Sequence, residues 1–512
     1  SVCWIHIFPP MPPAPETLPE DPAQLKAYAL SQQREIQRLN LIIAKLQRRQ
    51  FGRRAETLDP DQLNLLGDRA LVEAPSEEQP PEPPASKRRK AARKPLPAHL
   101  PREDHRHDVG EQCDSCGGQL HYIGEDVSEM LEYIPARFKV IRHIRPKWSC
   151  PDCQQIIQAP APERPIPNGL AGPDLLAQVL VSKYCDHQPL HRQSRIYARD
   201  GVELARSTLA DWVGQASGLL KPLVDAIHRH VVGGDTLHAD DTPIPVLDPG
   251  RGRTKTGRLW TYVRDEQPWQ GQAPPAVWFA YTPNRQGQHP QHHLRHFSGV
   301  VHADGFAGFN ALYANGCREA ACMAHVRRKF YDIHEAKASP LAIEALAFIR
   351  QLYQVEEPIR GKPPDARRRR RQQMAVTIMA AFKDWLAHTL MQVSQKSELA
   401  KAIRYALSRW PALTRYCEDG RIEIDNNAAE RALRGVALGR KNYLFAGSDQ
   451  GGERAAALYS LIETAKLNDL DPMAYLRHVL SVIGTHPINR IDQLLPWQIA
   501  LPAVSDEACE AA

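Results

Sequence analysis

Residues 421–448 read RIEIDNNAAERALRGVALGRKNYLFAGS, and this stretch indicates what the rest of the chain has to supply. Around Glu430 the segment is expected to be helical. At about 100° per residue, the side chains that share a face with this carboxylate are those of Asn427, Arg434 and Lys441. Such a face combines a metal-binding carboxylate with amide and basic groups that can hold a phosphate backbone. Alternatively, Asn427-x-x-Glu430 is a capping box in which Glu430 caps its own helix.

The length and composition are typical of a large intracellular protein. The chain has 512 residues and a net charge of +6, and its length predicts roughly three domains. Basic residues occur in blocks, KRRKAARK at 87–94 and RRRRR at 367–371. Such blocks suit a polyanionic partner, or they are solvated disordered runs. The cysteines do not form a secreted disulfide framework, and no apolar run is long enough to span a membrane.

The start of the chain shows no targeting signal. SVCWIHIF at 1–8 has no basic flank or small-residue cleavage site, so no signal peptide is predicted. Because the chain begins at Ser1 and has a methionine at Met11, the first ten residues are interpreted as an artefact of the start site or of cloning. Residues 1–21 are expected to be disordered, and a reduced, soluble, cytoplasmic protein is expected.

Residues 22–56 are predicted to form a coiled-coil helix that drives self-association. The apolar spacing of three and four covers about three heptads, which is the lower limit for a coiled coil. The positions in this seam are Leu25, Ala29, Gln32, Ile36, Leu39, Ile43 and Leu46. An amphipathic helix that packs on its own protein is the alternative, which the polar Gln32 favours. Residues 57–104 are predicted to be a Pro-rich, basic linker.

Two C-x-x-C pairs predict a zinc ribbon over 105–160. The pairs are Cys113 with Cys116 and Cys150 with Cys153, and a strand-like segment, FKVIRHIRPKWSC, precedes the second pair. Four thiolates in this arrangement hold Zn²⁺ tetrahedrally and stabilise a module that has too small a core of its own. A redox dithiol would need only one pair. Basic residues between the pairs suggest contact with nucleic acid, although a purely structural zinc is the alternative.

Residues 161–232 are predicted to be a helical domain. Within it, 192–212 has the pattern of a helix, a Gly-containing turn and a second helix that opens at Ser207 or Thr208. This pattern is typical of a helix-turn-helix that binds DNA, and also of ordinary helical packing.

From residue 235 the pattern becomes that of an α/β domain, predicted over 233–450. The runs TLHADDTPIPVL, RLWTYVRD and AVWFAYTPNR predict three strands, and GVVHADGF predicts a fourth after a histidine-rich helical stretch. Two of these strands are expected to end in carboxylates, Asp240 (beside Asp241) and Asp304, where an open α/β sheet places reactive groups. Each of these Asp residues also fits ordinary turn chemistry.

The rest of this region is predicted to be mostly helical. Cys317, Cys322 and His325 raise the possibility of a second zinc site, but their spacing fits no usual zinc pattern, so a strand leading into a basic helix is predicted instead over 316–335. Residues 331–420 are predicted to be a helical insertion, and 451–512 a helical C-terminal domain.

Three carboxylates from two strands and one helix suit metal-dependent phosphodiester chemistry. Two Mg²⁺ ions about 4 Å apart activate the attacking oxygen and stabilise the leaving oxygen. Mg²⁺ takes oxygen ligands and keeps several waters, so Asp240, Asp304 and Glu430 suffice to hold it, and Mn²⁺ can substitute.

At this point the chain resembles transposases of the insertion sequence 66 family over nearly its whole length. The matching segments are RRQFGRRAE, the ribbon CDSCGGQL…CPDC, SKYCDHQPLHRQ, HADDTPIPVLD, HADGFAGFN, CMAHVRRKF, IDNNAAERALRGVALGRKNYLFAGS and DPMAYLRHVL…NRIDQLLPW. The resemblance implies a ribonuclease-H-like core with a helical insertion, Asp240, Asp304 and Glu430 as its metal-binding triad, and two small accessory proteins as candidate partners.

Two departures from the family pattern leave alternatives open. The family usually has Asp-Glu where this chain has Asp240-Asp241, so Asp241 is the fallback for the first ligand. Gly435 stands where the family tends to have Pro, which loosens the helix without removing a ligand. Glu423 and Asp425 are rivals of Glu430, although a short strand before the helix would favour a structural or capping role for them.

The sequence therefore predicts a DNA transposase that cuts the ends of a bacterial insertion sequence and joins them to target DNA. Beside the triad, the DNA-contacting residues are expected to be Asn427, Arg434, Arg440 and Lys441. Pairing two DNA ends requires at least a homodimer, and the protein is expected to associate with the nucleoid. A zinc-containing DNA-binding regulator, or a decayed inactive copy, is the alternative. A general nuclease would leave the ribbon and the coiled coil without a purpose.

Overall fold

The structure is a computed structural model that describes residues 138, 140–141, 147–149, 156–158, 163–167, 169–250 and 252–501. The predicted N-terminal segment, coiled-coil helix and linker lie outside these residues, as do the four cysteines of the predicted ribbon. Two compact units divide the chain. Every helix and strand given below lies in the unit to which Arg145–Arg199 and the residues from Glu203 onward belong.

A short hairpin-like pair of strands is described in the predicted ribbon. β1 (Lys147–Ser149) pairs antiparallel with β2 (Ile156–Gln158), and Trp148 lies opposite Ile157. In sequence, these strands flank the second C-x-x-C pair. The end of the predicted strand-like segment FKVIRHIRPKWSC is therefore confirmed as a strand, whereas the described residues Phe138, Val140 and Ile141 have no regular secondary structure.

Three helices precede the large sheet: α1 (Pro173–Tyr184), α2 (Leu190–Arg199) and α3 (Arg206–Val232). The predicted succession of helix, turn and second helix is present, and the second helix begins at Arg206. Leu209, Leu220 and Ile227 are completely buried along α3. These side chains belong to the stripe through which α3 packs against the sheet.

The centre of the described chain is a five-stranded mixed sheet. Its strands are β3 (Thr236–Val246), β4 (Lys255–Arg264), β5 (Ala276–Thr282), β6 (Val300–Ala303) and β7 (Arg318–Ala321). They lie in the order β5-β4-β3-β6-β7. β4 is antiparallel to both of its neighbours, β3 and β5, whereas β3, β6 and β7 are parallel. The four predicted strands are confirmed, and so are the short helix α4 (Gln288–His293) before β6 and the strand β7. The helix α5 (Asn310–Ala314) connects β6 to β7.

The prediction that Asp240 ends its strand is wrong. β3 continues to Val246 because its pairing with β4 extends from His238 to that residue. Its parallel pairing with β6, however, ends at His238, which lies opposite His302. Asp240 therefore lies where the parallel ladder stops, two residues beyond its last pair.

A run of helices follows β7, in the region predicted as a helical insertion and called the insertion below. It comprises α6 (Met323–Lys337), α7 (Pro340–Glu356), α8 (Pro364–Arg370), a π-helical turn (Arg371–Ala375), α9 (Val376–Gln392), α10 (Glu398–Ser408) and α11 (Trp410–Thr414). Its core is apolar and includes the fully buried side chains of Phe330, Leu352 and Phe382. α12 (Asn427–Asn442), α13 (Asp449–Leu467) and α14 (Pro472–Val482) complete the chain.

The arginine block at 367–371 is not a solvated run throughout. Its first and last members, Arg367 and Arg371, are 1% and 0% exposed, whereas the three between them are exposed. Arg371 donates to both carboxylate oxygens of Glu356, and Arg367 pairs with Glu423 at 2.5 Å. The spacing of four residues on a helix explains the pattern, because it puts these two side chains on one face.

The short strand predicted before α12 is absent from this part of the structure. The alternation of Ile422, Glu423 and Ile424 suggested a strand, and both isoleucines are indeed buried. Their carbonyl groups bind other partners, however: that of Ile422 accepts from Arg371 at 2.8 Å, and that of Ile424 from the Met323 amide at 3.1 Å. A period of two shows which side chains are buried, not whether a neighbouring strand exists.

Candidate active site

Two carboxylates stand side by side at the end of the parallel ladder. The sequence His-Ala-Asp occurs within β3 and again at the end of β6, where Asp304 follows the last strand residue, and the histidines His238 and His302 are paired in register. Asp240 and Asp304 each follow two residues later, on chains that adjacent pairing sets about 4.8 Å apart. The backbone of Asp304 is fixed by the Tyr405 hydroxyl, which donates to its carbonyl at 2.9 Å.

α12 brings Glu430 to this point because the helix is attached to β3 along its length. The buried Asn426 side chain donates to the Ala239 carbonyl at 2.9 Å before the helix begins. Near its end, Arg440 donates to the Pro243 carbonyl at 2.7 Å. Beyond the helix, the Ala446 amide donates to the carbonyl of Pro245 at 2.8 Å.

An open cleft of about 400 Å³ lies between α12, α6 and β3. Its lining comprises Asp240, His325, Arg328, Glu430, Leu433, Arg434, Ala437 and Arg440. A second open cavity of about 430 Å³ lies on the insertion beside Asp365, Arg368 and Arg369. Only the first cavity has two carboxylates, and it is the candidate active site.

The charges of the site favour a cation. Burial raises the pKa of Asp240 to about 7, and the negative charges of Asp304 and Glu430 act in the same direction, while the Asp241 amide that donates to Asp240 partly opposes them. A carboxyl group in this environment resists ionisation unless positive charge arrives. The residues present therefore fit divalent metal ions, which take carboxylate oxygens as ligands.

Asp241 is engaged elsewhere. Its side chain is 2% exposed and pairs with Arg285 at 2.8 Å and with Arg258 at 3.0 Å. Neighbouring residues of a strand point to opposite faces, so only one of Asp240 and Asp241 can face the cleft. Asp240 lines it.

Glu430 is not part of a capping box. α12 already includes Asn427, and the residue at its N-cap, Asn426, makes no side-chain cap hydrogen bond. One Glu430 oxygen accepts from Arg328 at 3.3 Å, and the other faces His325 at 3.6 Å. The carboxylate is thus directed across the cleft towards α6, not back along its own helix.

The four predicted DNA-contacting residues are in different surroundings. Arg434 and Arg440 line the cleft. Lys441 is exposed at the end of α12 and is not part of the lining. Asn427 is 8% exposed and donates its side-chain amide to Asp425 at 3.1 Å, so it faces the protein interior.

The rivals of Glu430 are structural. Glu423 is held by the buried Arg367, and Asp425 is 8% exposed and accepts from the Tyr353 hydroxyl at 2.9 Å. Asp425 also accepts from the backbone amide of Asn427, which is a capping contact at the start of α12. The preference for a structural or capping role is thus in agreement with the contacts. Gly435 lies within α12, which continues unbroken through it.

Sequence reasoning gave no active-site role to His325 and Arg328. Both residues lie in the first turns of α6, and their spacing of three residues puts their side chains on the same face of the helix. The sequence suggests His325 only as part of a second zinc site with Cys317 and Cys322. Cys317 is not available for such a site, because its thiol donates to the Phe297 carbonyl at 3.2 Å. Cys322, His325 and Glu430, by contrast, have potential ligand atoms within 4.8 Å of one another.

Comparison with known proteins identifies the family. The model of the Transposase IS66 family matches residues 168–454, more than half of the chain and a range that includes all three carboxylates. The chain belongs to the IS66 transposase family. Further regions of IS66 transposases match as well: the zinc-finger binding domain at 111–154, the IS66 C-terminal element at 460–497, and the Transposase C of IS166 homeodomain at 38–104.

Full-length relatives agree with this assignment. The uncharacterized protein y4hP of Sinorhizobium fredii is 39% identical, with 90% of this chain and 88% of the relative covered. The uncharacterized protein y4jD of the same strain is also 39% identical, with 94% and 97% covered.

Membership of the IS66 transposases makes the chain a DNA-processing protein. The zinc-finger match contains the four cysteines Cys113, Cys116, Cys150 and Cys153, so the zinc-binding domain is supported. No helix among the residues that the structure describes is both long and apolar enough to cross a membrane.

Proposed function

We propose that the chain is a Mg²⁺-dependent transposase of the DDE type, which hydrolyses a phosphodiester at each end of its element and joins the freed 3′-hydroxyl to target DNA. The observation that carries the proposal is that Asp240 and Glu430, far apart in sequence, line one open cleft, with Asp304 close enough for its charge to raise the pKa of Asp240. Two Mg²⁺ ions held by these carboxylates would activate the attacking oxygen and stabilise the leaving oxygen. Mn²⁺ would substitute for them.

A ribonuclease-H-like core is proposed for the catalytic part. A mixed sheet that carries two of the carboxylates, with a helical insertion before the helix that carries the third, supports it. The insertion separates Asp304 from Glu430 in sequence, while Arg371 binds the carbonyl of Ile422 and so holds the chain just before α12. The contact with the insertion thereby helps to position Glu430 beside the sheet.

The basic side chains of the cleft are proposed to hold DNA. Arg434 and Arg440 lie on one side of it and Arg328 on another, so a phosphate backbone could follow the cleft past the carboxylates. Lys441 continues this row at the end of α12. Cations in these positions attract the DNA and fix the scissile phosphate. Asn427 is proposed to act indirectly, through the start of α12.

The remaining parts are proposed to recognise and pair the DNA ends. The zinc ribbon and the helix-turn-helix-like pair α2 and α3 would bind the terminal repeats. The coiled-coil helix would join at least two chains, since two ends must be brought together. Two small accessory proteins of the element are candidate partners, and a cytoplasmic location on the nucleoid follows from the substrate.

A cleavage and strand-transfer assay tests this function. Labelled DNA that carries the native element ends is incubated with the full chain and Mg²⁺, with and without the accessory proteins. We expect 3′-hydroxyl ends and joined products, both reduced at least about 100-fold in Glu430→Gln and Asp240→Asn, with DNA binding retained. The surface variant Glu398→Gln, which removes an exposed carboxylate on α10, is the matched control and should act like the wild type.

The assay also distinguishes the alternative. DNA binding without any cutting, in every mixture tried, would favour the regulator or the inactive copy. Full activity of Glu430→Gln would contradict the assignment of Glu430 and return attention to Glu423 and Asp425.

A further inference from the structure

The side chains of His325 and Glu430 face each other across the cleft. The His325 Nδ1 and Glu430 Oε1 atoms are 3.6 Å apart. Both atoms are buried and have no hydrogen-bond partner in the described part of the chain. The distance is too long for a hydrogen bond. Buried polar atoms that lack a partner are rare in native proteins and call for an explanation, of which a bound ion is one.

The distance between the His325 Nδ1 and Glu430 Oε1 atoms is close to the distance between two adjacent ligands of one small cation. Ligands at about 2.1 Å from an octahedral ion lie roughly 3 Å apart when they are adjacent. Closing the 3.6 Å separation to that value needs only a small adjustment of two side chains. The two oxygens of the Glu430 carboxylate have different roles. Oε2 accepts a hydrogen bond from Arg328 at 3.3 Å, which leaves Oε1 available to bind a metal ion.

Cys322 is a poor third ligand, although its sulfur lies close by. The Cys322 side chain is 1% exposed, and its sulfur accepts a hydrogen bond from the Asn426 amide at 3.1 Å. That contact attaches α6 to the residue before α12. The atoms that could bind a metal ion here are therefore one imidazole nitrogen and carboxylate oxygens, unlike the thiolate-rich ligands of a structural zinc.

We infer that His325 is a nitrogen ligand of the metal ion that Glu430 holds. Arg328 only positions the carboxylate. Imidazole suits transition metals more than Mg²⁺, and Mn²⁺ accepts both nitrogen and oxygen ligands, so the ion beside Glu430 is bound more tightly as Mn²⁺ than as Mg²⁺. The inference rests on the proposed function in one respect, which is that Glu430 binds a metal.

Pulsed electron paramagnetic resonance of Mn²⁺ bound to the full-length protein tests this directly. We expect a ¹⁴N coupling to the bound Mn²⁺, which changes to the ¹⁵N pattern when the protein is labelled with ¹⁵N-histidine. The coupling should be lost in His325→Gln, whose amide offers oxygen but no imidazole nitrogen. Mn²⁺ affinity should fall by at least about tenfold in that variant.

Arg328→Gln is the matched control, because it changes the other contact of Glu430 from the same face of α6 and leaves the imidazole in place. We expect it to keep the ¹⁴N coupling. Zinc content and circular dichroism report whether each variant is folded, and His325→Asn repeats the test if His325→Gln is not.

The outcomes separate this inference from the proposed function. If bound Mn²⁺ is lost in Glu430→Gln but shows no ¹⁴N coupling in the wild type, or keeps the coupling in His325→Gln, then His325 is not a ligand and the proposed function stands. If neither Glu430→Gln nor Asp240→Asn changes Mn²⁺ binding, both are overturned.

Discussion

At the scale of single residues, the two neighbouring aspartates of β3 have opposite environments. Asp240 faces the cleft, where burial and nearby carboxylates raise its pKa to about 7. Asp241 is paired with Arg258 and Arg285. One carboxylate is therefore destabilising in the absence of metal, and its neighbour is stabilising.

Replacing Asp240 by Asn is expected to stabilise the metal-free protein at alkaline pH. The folded pKa of about 7 exceeds the ordinary value of 3.8, so the folded state binds more protons than the unfolded state between these values. Stability is consequently lost as pH rises from about 4 through 7. Urea unfolding in buffer without divalent ions should show Asp240→Asn more stable than the wild type by about 1–3 kcal/mol at pH 8, with no difference near pH 3.

Asp241→Asn is the control, because it should change the free energy of unfolding in the opposite direction. It removes the carboxylate charge that the partly buried Arg258 and Arg285 share, leaving Arg285 only its longer contact with Asp304 at 3.6 Å, and should cost about 1–3 kcal/mol at pH 8. Adding Mn²⁺ should stabilise the wild type and not Asp240→Asn. A loss of stability in Asp240→Asn similar to that of Asp241→Asn would contradict the assigned environments.

The residues proposed to carry the chemistry were partly predictable. Asp304 and Glu430 were singled out from their positions after a strand and within a helix. The choice between Asp240 and Asp241 could not be made from the sequence, because alternation gives two faces without saying which one meets the cleft. His325 was missed for a related reason: its partner, Glu430, comes from a helix that only the fold brings close.

At the scale of elements, α12 depends on the buried arginines of the insertion. Arg371 binds Glu356 and also donates to the carbonyls of Tyr416 and Ile422, at 2.9 and 2.8 Å. These contacts hold the segment that leads into α12. The insertion thus supports the segment that leads into α12 and is not only a connection.

Arg371→Met is expected to destabilise the core by about 3–5 kcal/mol, because it leaves the Glu356 carboxylate and backbone carbonyls buried without a donor. Arg369→Gln, in the same block but exposed, should change the free energy of unfolding by less than about 0.5 kcal/mol. Urea titration followed by tryptophan fluorescence measures both. Equal, small effects would show that the buried network does not support the fold.

Helices and strands with a clear period were predicted, whereas an irregular segment was not. The strands β3 to β6 and the helices of the insertion follow from runs of Val, Ile and aromatic residues or from a spacing of three and four. The segment before α12 alternates like a strand, yet it is bound by Arg371 and by the Met323 amide. Tertiary partners of this kind leave no local sequence signal.

At the scale of the whole molecule, one chain combines a zinc-finger domain with a proposed second kind of metal site. The four cysteines of the zinc-finger domain are suited to Zn²⁺, and the carboxylates at the edge of the parallel ladder are proposed to bind Mg²⁺ or Mn²⁺. The order of the sheet strands brings Asp240 beside Asp304, and the return of the chain from the insertion adds Glu430. Sequence spacing alone could suggest this meeting but not its geometry.

Anomalous diffraction from crystals of the full chain soaked in Mn²⁺ would show whether the three carboxylates bind metal. Data at the zinc and manganese absorption edges distinguish the two metals, and the zinc signal of the four cysteines serves as an internal reference. We expect manganese peaks within coordination distance of Asp240, Asp304 and Glu430. Full occupancy of zinc with no manganese at these three carboxylates, or manganese bound at Glu423 and Asp425 instead, would contradict this expectation.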